Sequence, residues 1–276
     1  MIIDCFSYFN EEELLELRLR LLYNKVDKFV ITEADRNHKG NPKPMTLLNT
    51  LKRMDISLEK IYYVPVMLPS SEEESDNWVR ERMQRDAAAA YIKDDDVAYI
   101  SDCDEILDPN HVEYIEYIKR GHPNNILRIP LVYLCGSADL RVYNENRYIT
   151  WNAPYIVHGH QLKKYTLSQI REDYAWGYHK LEDTDIYITE KGALTEFGWH
   201  FTWMGGKKKI QEKGAIFLHS DEHSVSKDYE AKKDGTDPLG REDHILKKYD
   251  TAVLPKLIFE NHRIRKHLFP NEDTLS

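Results

Sequence analysis

A short apolar run in the middle of this sequence leads directly into a group of acidic residues. Residues 97–100 (VAYI) predict a strand that is buried on both faces, as in a parallel sheet. The sequence Ser-Asp-Cys-Asp-Glu follows at once, at 101–105. Side chains at positions i and i+2 of an extended segment point the same way, so Asp102 and Asp104 should converge. Because the ligands of open α/β sheets bind at the carboxyl ends of strands, we expect a ligand site here.

The chemistry of this acidic turn favours a hard cation. Asp102, Asp104 and Glu105 lie within four residues, and their charges repel unless a cation or a proton offsets them. Carboxylate oxygens suit Mg²⁺ or Mn²⁺, and such an ion commonly holds a substrate phosphate as well. The alternative is an acidic turn that caps the next helix, because Asp108 precedes Pro109.

Composition and charge exclude several classes of protein. Of the 276 residues, 41% are hydrophobic and 31% are charged, which is typical of a soluble globular protein. The net charge of −9 argues against a nucleic-acid partner, and no apolar run is long enough to form a transmembrane segment. Three cysteines without metal-ligand spacing favour a reducing compartment, and we expect a cytoplasmic protein.

The first hundred residues predict an α/β fold with a mostly parallel sheet. Apolar runs at 2–6, 29–32 and 61–66 alternate with helical periodicity before the strand at 97–100. Asn10 and Glu13 have the spacing of a capping box at the start of the first helix.

The pattern changes beyond residue 109. Runs at 126–134, 140–143 and 147–151 predict longer strands of more antiparallel character. Several aromatic residues lie here, and these suit either a sugar ring or an ordinary core. The segment 254–268 predicts one closing amphipathic helix.

Polar residues outside the acidic turn offer further ligand contacts. Glu33 ends the second strand and opens a long polar loop, 34–44, which could contact a nucleotide. Arg82, Arg85 and Asp86 lie within about one turn of a predicted helix, so that some of them could face a ligand. A solvated loop and a salt-bridged helix face are the alternatives.

Two candidates lie later in the chain. His200 is part of a short aromatic strand, 198–203 (GWHFTW), where a neutral imidazole could complete the acidic site and would suit Mn²⁺ better than Mg²⁺. A lone histidine is more often a core or surface residue. Arg241 ends a turn (DPLGR) and could bind a phosphate through two hydrogen bonds.

Together these segments resemble glycosyltransferase family 17, which includes the enzyme that adds the bisecting N-acetylglucosamine to N-glycans. The similarity covers nearly the whole chain and rests on blocks in the same order: DCFSYFNEEELLELRL, TEADRNHKGNPKP, DDDVAYISDCDEI, GWHFTWMGG, DPLGRED and LPKLIFEN. The resemblance implies a GT-A-like α/β fold, with a mostly parallel nucleotide-binding sheet and an acceptor-binding half that contains antiparallel strands. We therefore expect a single catalytic domain over 1–276. Its expected parts are a nucleotide-sugar half (1–108), an acceptor half (109–250) and a C-terminal helix (251–276).

The resemblance also implies an activity and a set of donor contacts. It implies an inverting transferase that moves a sugar from a UDP-sugar, with UDP-N-acetylglucosamine as the expected donor, to a glycan or other carbohydrate acceptor. Asp102, Asp104 and His200 would hold Mn²⁺ or Mg²⁺ against the donor's phosphates, or Asp102 would instead bind the ribose. The remaining donor contacts would come from Glu33, Arg82, Asp86 and Arg241.

The general base is left open among four carboxylates: Glu105, Glu196, Asp221 and Glu222. Glu222 is the favoured base, because Glu105 is more easily explained as support for the metal ligands.

Two other functions fit parts of the pattern. A strand that ends in Asp-x-Asp also occurs in haloacid-dehalogenase-type phosphatases, with Asp102 as nucleophile and Asp104 as acid. That fold requires the motif near the start of the chain and Thr or Val at position 106, which here is Ile. The second alternative is a non-catalytic carbohydrate-binding protein that uses the aromatic half.

Overall fold

The structure, a computed structural model, describes residues 1–144, 146–176, 181, 185–187, 189–190, 193–194, 196–216, 235, 237–241 and 243–270. The chain divides into two compact units. The first comprises Met1–Leu131 and Asn152–Gly198, and the second comprises Val132–Trp151 and Trp199–Ser276. Both units are discontinuous in sequence, so their bounds differ from those of the expected halves.

The strands and helices are as follows. The strands are β1 (Ile2–Tyr8), β2 (Lys28–Ala34), β3 (Ile61–Val66), β4 (Val97–Asp102), β5 (Glu105–Leu107), β6 (Ile126–Arg128), β7 (Leu131–Cys135), β8 (Ser137–Asn144), β9 (Arg147–Tyr148), β10 (Thr150–Trp151), β11 (Tyr155–His158), β12 (Asp185–Tyr187), β13 (Thr189–Glu190), β14 (Ala193–Leu194), β15 (Gly198–Thr202) and β16 (Ile245–Lys248). The α-helices are α1 (Glu12–Leu22), α2 (Leu47–Arg53), α3 (Asn77–Asp86), α4 (Val112–Gly121), α5 (Leu167–Trp176), α6 (Gly206–Ile216), α7 (Lys256–Glu260) and α8 (His262–Leu268). Short 3₁₀ helices cover Ala87–Tyr91, Gly159–Lys163 and Thr251–Val253.

The first unit is organised on one sheet with the strand order β12-β6-β11-β4-β1-β2-β3. Strands β4, β1, β2 and β3 are parallel to one another, whereas β11 runs antiparallel to both of its neighbours. Residues 97–101 of β4 are each at most 3% exposed, as expected for a strand covered on both faces. The predicted α/β class with a mostly parallel sheet is confirmed.

The register of the sheet places the predicted polar groups at one edge. Asp102 is aligned with Ser7 at the end of β1, and Tyr8 is aligned with Glu33 near the end of β2. Because these strands are parallel, their carboxyl ends meet at the same edge of the sheet. Both Asp102 and Glu33 therefore lie where the sequence predicted a ligand site.

The start of the first helix differs from the prediction. Helix α1 begins at Glu12, and Asn10 has a φ of +80° instead of a capping conformation. The Asn10 side chain accepts a hydrogen bond from Thr46 Oγ1 at 3.0 Å, so a contact distant in sequence replaces the local cap. The predicted capping box is wrong.

The predicted strand at 126–134 is two strands. Strand β6 belongs to the sheet of the first unit, whereas β7 pairs with β8 and β15 in the second. The break falls at Ile129 and Pro130, because proline has no N–H group to donate within a sheet. In the second unit the strand order is β16-β8-β7-β15, with β15 parallel to β7 and the other neighbours antiparallel.

The end of the chain also differs from the single helix predicted at 254–268. Helices α7 and α8 are separated by Asn261, whose side chain accepts hydrogen bonds from the N–H groups of Arg263 and Ile264. An asparagine in an extended conformation that caps the next helix interrupts the periodicity. Among the described residues, no helix has the length and apolar character needed to cross a membrane.

Candidate active site

Asp102 ends β4 with its carboxylate between two helices. The side chain is 39% exposed, so it reaches solvent. One oxygen accepts a hydrogen bond from Arg171 Nη2 of α5 at 2.8 Å, and the other accepts one from Arg85 Nη2 of α3 at 3.3 Å. Charge-assisted bonds of this kind hold a carboxylate ionised and fixed in direction.

Glu105 supports this arrangement from a fully buried position. Its two oxygens accept hydrogen bonds from Arg171 Nη1 at 3.1 Å and Nη2 at 2.7 Å, and it also accepts the N–H of Asp102 at 2.8 Å. Burial alone would lower the pKa of the Arg171 guanidinium, but the carboxylates of Glu105 and Asp102 raise it on balance. This geometry favours a supporting role for Glu105 over the alternative role of general base.

A buried arginine fixes the backbone of the acidic turn. Arg18, on the inner face of α1, is fully buried and donates to the carbonyl oxygens of Asp102 at 2.7 Å and Glu105 at 3.0 Å. Its Nε donates to Asp4 Oδ2 at 2.8 Å, and the guanidinium lies 4.0 Å from the centre of the Phe6 ring. Unpaired buried carbonyl groups are costly, so Arg18 determines the conformation of the turn.

The described residues do not form a complete metal cage. Among them, no group of three or more His, Cys, Asp or Glu side chains is arranged to hold a metal ion. Both oxygens of Asp102 already accept guanidinium hydrogen bonds, and its predicted role as a metal ligand stays a prediction. Asp104 is 7% exposed and follows in the same turn. The site fits a cation such as Mg²⁺, which typically takes one or two carboxylates and completes its shell with water and substrate phosphates.

Glu33 is fully buried and engaged with the polar loop that follows it. It accepts the N–H groups of Thr46 at 2.6 Å and Leu47 at 3.2 Å, at the start of α2. Tyr63 Oη also donates to it at 3.2 Å, and burial together with the Glu33 charge raises the pKa of Tyr63 to about 12. The carboxylate therefore anchors the loop, and its predicted contact with a nucleotide stays a prediction.

The residues of α3 that were predicted to contact a ligand form bonds with helix α5. Arg82 Nε donates to Glu172 Oε1 at 2.5 Å, and Asp86 Oδ1 accepts the N–H of Ser168 at 2.7 Å. This is the salt-bridged alternative, although the Arg82 side chain is still 39% exposed. The same packing of α3 and α5 brings Arg85 and Arg171 to Asp102.

Residues 1–131, which hold the acidic turn together with Arg18 and Arg85, match the family model of glycosyltransferase family 17. Residues 1–131 belong to glycosyltransferase family 17. The match supports a glycosyltransferase activity and favours it over the phosphatase and the non-catalytic carbohydrate-binding protein. The Arg171 partner of Asp102 lies outside the matched residues.

Other comparisons give only distant likenesses for this glycosyltransferase. No curated protein matches its sequence. Among solved structures, 4-diphosphocytidyl-2C-methyl-D-erythritol synthase has 12% identity and a TM-score of 0.41, covering 71% of this chain and 91% of that one. A mannose-6-phosphate isomerase from Helicobacter pylori has 12% identity and a TM-score of 0.36, covering 71% and 90%. An active-site mutant of LgtC has 10% identity and a TM-score of 0.37, covering 68% and 72%. Likenesses at these TM-scores are too distant to support an inference about function.

The second unit of the glycosyltransferase holds His200 within a group of rings. The His200 ring on β15 is 6% exposed and lies 4.5 Å from the Trp151 ring and 5.2 Å from the Tyr133 ring. Arg241 donates to Tyr133 Oη at 3.3 Å and pairs with the buried Asp237. We call these five residues the ring cluster.

The charge on Asp237 is stabilised within the ring cluster. Burial alone would raise the pKa of the Asp237 carboxyl, but hydrogen bonds from His244 and Arg241 and the nearby guanidinium charge lower it on balance. Asp237 in turn orients the Arg241 side chain, which is 30% exposed. An oriented, partly exposed guanidinium is suited to binding a phosphate.

The remaining candidates are the three other carboxylates proposed as the general base. Glu196 is half-buried, next to Phe197, whose carbonyl accepts the N–H of Asp108. Asp221 and Glu222 lie outside the described residues. Sequence reasoning missed Arg18 and Arg171. For Arg18 a signal was available, because it lies four residues after Leu14 on the apolar stripe of α1.

Proposed function

We propose that this glycosyltransferase moves N-acetylglucosamine from a UDP-sugar to a hydroxyl of a glycan or other carbohydrate, with inversion at the anomeric carbon and with the help of Mn²⁺ or Mg²⁺. The observation that supports this best is the acidic turn at the carboxyl end of β4. There the Asp102 side chain is 39% exposed, and Arg18 donates hydrogen bonds to the backbone carbonyl groups of the turn. Together with the family membership of residues 1–131, this turn favours a nucleotide-sugar donor.

Different residues of the chain would contact different parts of the donor. A cation bound by Asp104 and the donor's phosphates would offset the charge that develops on the departing UDP. Asp102, already neutralised by two arginines, would accept hydrogen bonds from hydroxyl groups of the donor. His200 is the candidate for a second protein ligand of the cation, and Arg241 is the candidate for a phosphate contact.

Inversion requires one base that acts on the acceptor. The acceptor hydroxyl attacks in line with the departing UDP and gives its proton to a carboxylate within hydrogen-bond distance. We favour Glu222, with Asp221 and Glu196 as the other candidates. The Glu105 carboxylate is the weakest of the four because Arg171 and the N–H of Asp102 occupy it.

The test is a donor screen in which release of UDP is measured. The protein is incubated with a panel of UDP-sugars, with Mn²⁺, with Mg²⁺ or with a chelator, and with simple saccharides as acceptors. We expect metal-dependent release of UDP that is fastest with UDP-N-acetylglucosamine. Release of inorganic phosphate from monoesters would instead support the phosphatase, and saccharide binding without turnover would support the non-catalytic alternative.

A further inference from the structure

The sheet of the second unit has one face in the core and another that carries tyrosines and cations. Val142 of β8 and Leu246 of β16 are buried in the core of this unit. Side chains alternate along a strand, so Tyr143 and Lys247, which follow them in sequence, lie on the opposite face. Ile245 lies on that face as well and is 47% exposed, so this side of the sheet is open to solvent.

Three side chains form a row across this open face. Tyr148 of β9 is aligned with Tyr143 of β8, and Tyr143 is aligned with Ile245 of β16. The row covers two strand spacings, or about 10 Å. The Tyr148 side of the row is accessible, since Tyr148 is 42% exposed and meets Tyr143 edge to face at 5.4 Å. An exposed ring in a flat row suits a sugar, because aromatic faces offer apolar contact while polar groups at the rim orient the ligand.

Positive charge is fixed next to these rings. Lys247 is exposed, and its Nζ lies 3.2 Å from the centre of the Tyr143 ring. The contact is with the face of a ring and not with a carboxylate, so it orients the ammonium group without cancelling its charge. Arg141 is 8% exposed and places its guanidinium 4.7 Å from the centre of the Tyr148 ring. The protein as a whole has a net charge of −9 and repels anions, so a positive face marks a place where an anion can approach.

We propose that this tyrosine face binds an acidic saccharide, with a sugar ring stacked on Tyr148 and an acidic group paired with Lys247. The face consists of Arg141, Tyr143, Tyr148, Ile245 and Lys247. The fixed positive charge favours an anionic ligand over a neutral one, and the exposed ring favours a saccharide over a simple anion. An anionic membrane is a poorer match, because membrane-binding surfaces insert several projecting apolar side chains. The inference goes beyond the proposed function, since this binding requires neither donor nor metal.

The experiment measures saccharide binding to the full chain by isothermal titration calorimetry, without a donor or a metal ion. The probes are tetragalacturonate and tetramannuronate, each compared with its methyl ester, which keeps the sugar rings and removes the charge. Phosphatidylserine vesicles test the membrane as the alternative partner. The variants are Lys247→Gln, Tyr148→Ala and Tyr148→Phe. The controls are Lys208→Gln, at a lysine of α6 whose side chain is 91% exposed, and Tyr117→Ala, at a tyrosine of α4 that is 74% exposed.

The two kinds of variant should differ in how they change the preference for the acid. The wild type should bind at least one uronate about fivefold more tightly than its ester, because Lys247 pairs with a carboxylate. Lys247→Gln should remove this preference and leave binding of the ester unchanged. Tyr148→Ala should weaken binding of acid and ester alike by about fivefold, because stacking does not depend on the charge. Tyr148→Phe, Lys208→Gln and Tyr117→Ala should bind as the wild type does.

Several results would overturn the proposal: no binding of either uronate, equal binding of acid and ester, or a preference that persists in Lys247→Gln. Vesicle binding that the variants abolish, without binding of a uronate, would assign the face to a membrane and would also overturn it. Thermal unfolding checks each variant, and if Tyr148→Ala does not fold, Lys247→Gln decides the question through the comparison of acid and ester. Failure of the proposed function would show separately, as a lack of UDP release by the wild type.

Discussion

The acidic turn of the first unit and the ring cluster of the second stabilise their buried polar groups through different interactions. Both bury polar groups that the family's chemistry could use. In the turn, carboxylates and guanidinium groups match one another, as in the pairing of Arg171 with Asp102 and Glu105. In the ring cluster, His200 is held mainly by the faces of Trp151 and Tyr133.

The difference predicts how each region responds to change. Removing one member of a buried ion network leaves another charge uncompensated in a medium of low polarity. Removing a polar atom from a stack of rings leaves most of the contact area in place. We therefore expect the turn to be sensitive to single substitutions, and the stacked rings of His200, Trp151 and Tyr133 in the ring cluster to be tolerant of those that preserve shape.

The largest effect on stability should come from Arg18→Met. Arg18 is fully buried, and its loss would remove the donor to Asp4 and to the carbonyl groups of Asp102 and Glu105, at a cost of about 3–5 kcal/mol in the free energy of unfolding. Arg20→Met is the matched control on the same helix. Its pair with Glu16 is partly exposed and should contribute only about 0.5 kcal/mol. Equal losses for the two variants in urea unfolding would contradict the view that the turn depends on a buried ion network.

The next effect is on catalysis. Asp104→Asn should lower the rate of UDP release by about a hundredfold or more, because a metal ligand that offsets charge on the departing group is lost. The free energy of unfolding should change little, since asparagine has the same shape. Asp94→Asn, a substitution in the exposed pair with Lys163, is the control and should leave the rate unchanged. Normal turnover by Asp104→Asn would remove Asp104 from the site.

The third prediction tests whether the ring cluster does more than pack. If His200 is a metal ligand, both His200→Ala and His200→Phe should raise the Mn²⁺ concentration required for half-maximal activity by more than about tenfold. If it is only part of the stack, His200→Phe should behave as the wild type, and His200→Ala should lose stability. The phenylalanine variant separates the two outcomes because it keeps the ring and removes both nitrogens.

The sequence predicted those features that depend on local pattern. The strand 97–100 and its acidic turn were recognised because a buried parallel strand is continuously apolar and ends in polar residues. The parallel order of β1, β2, β3 and β4 followed from the alternation of strands with helices. Where a distant contact prevailed, the local rules failed, as at Asn10, whose side chain is engaged by Thr46 instead of capping α1.

The partners of the acidic turn could not be predicted in this way. Arg171 is separated by 66 residues from Glu105, and Arg18 by 84 from Asp102. Periodicity indicates which face of a helix is buried, but it does not show which buried carboxylate an arginine will meet. Sequence therefore located the candidate ligands and missed the groups that position them.

The smallest expected loss in the free energy of unfolding comes from Glu33→Gln. This variant compares a carboxylate that is held by backbone N–H groups with Glu105, which is held by an arginine. Glu33 is fully buried like Glu105, but it accepts the N–H groups of Thr46 and Leu47, and its nearest cation, Lys43, is 3.7 Å away. A glutamine oxygen can still accept from an N–H group, so Glu33→Gln should cost only about 1 kcal/mol in the free energy of unfolding. Glu105→Gln should cost more, because it leaves the buried Arg171 charge only partly compensated. Urea unfolding of the two variants side by side makes the comparison. If Glu33→Gln proved the more damaging, arginine pairing would not be the reason that the turn is sensitive to substitution.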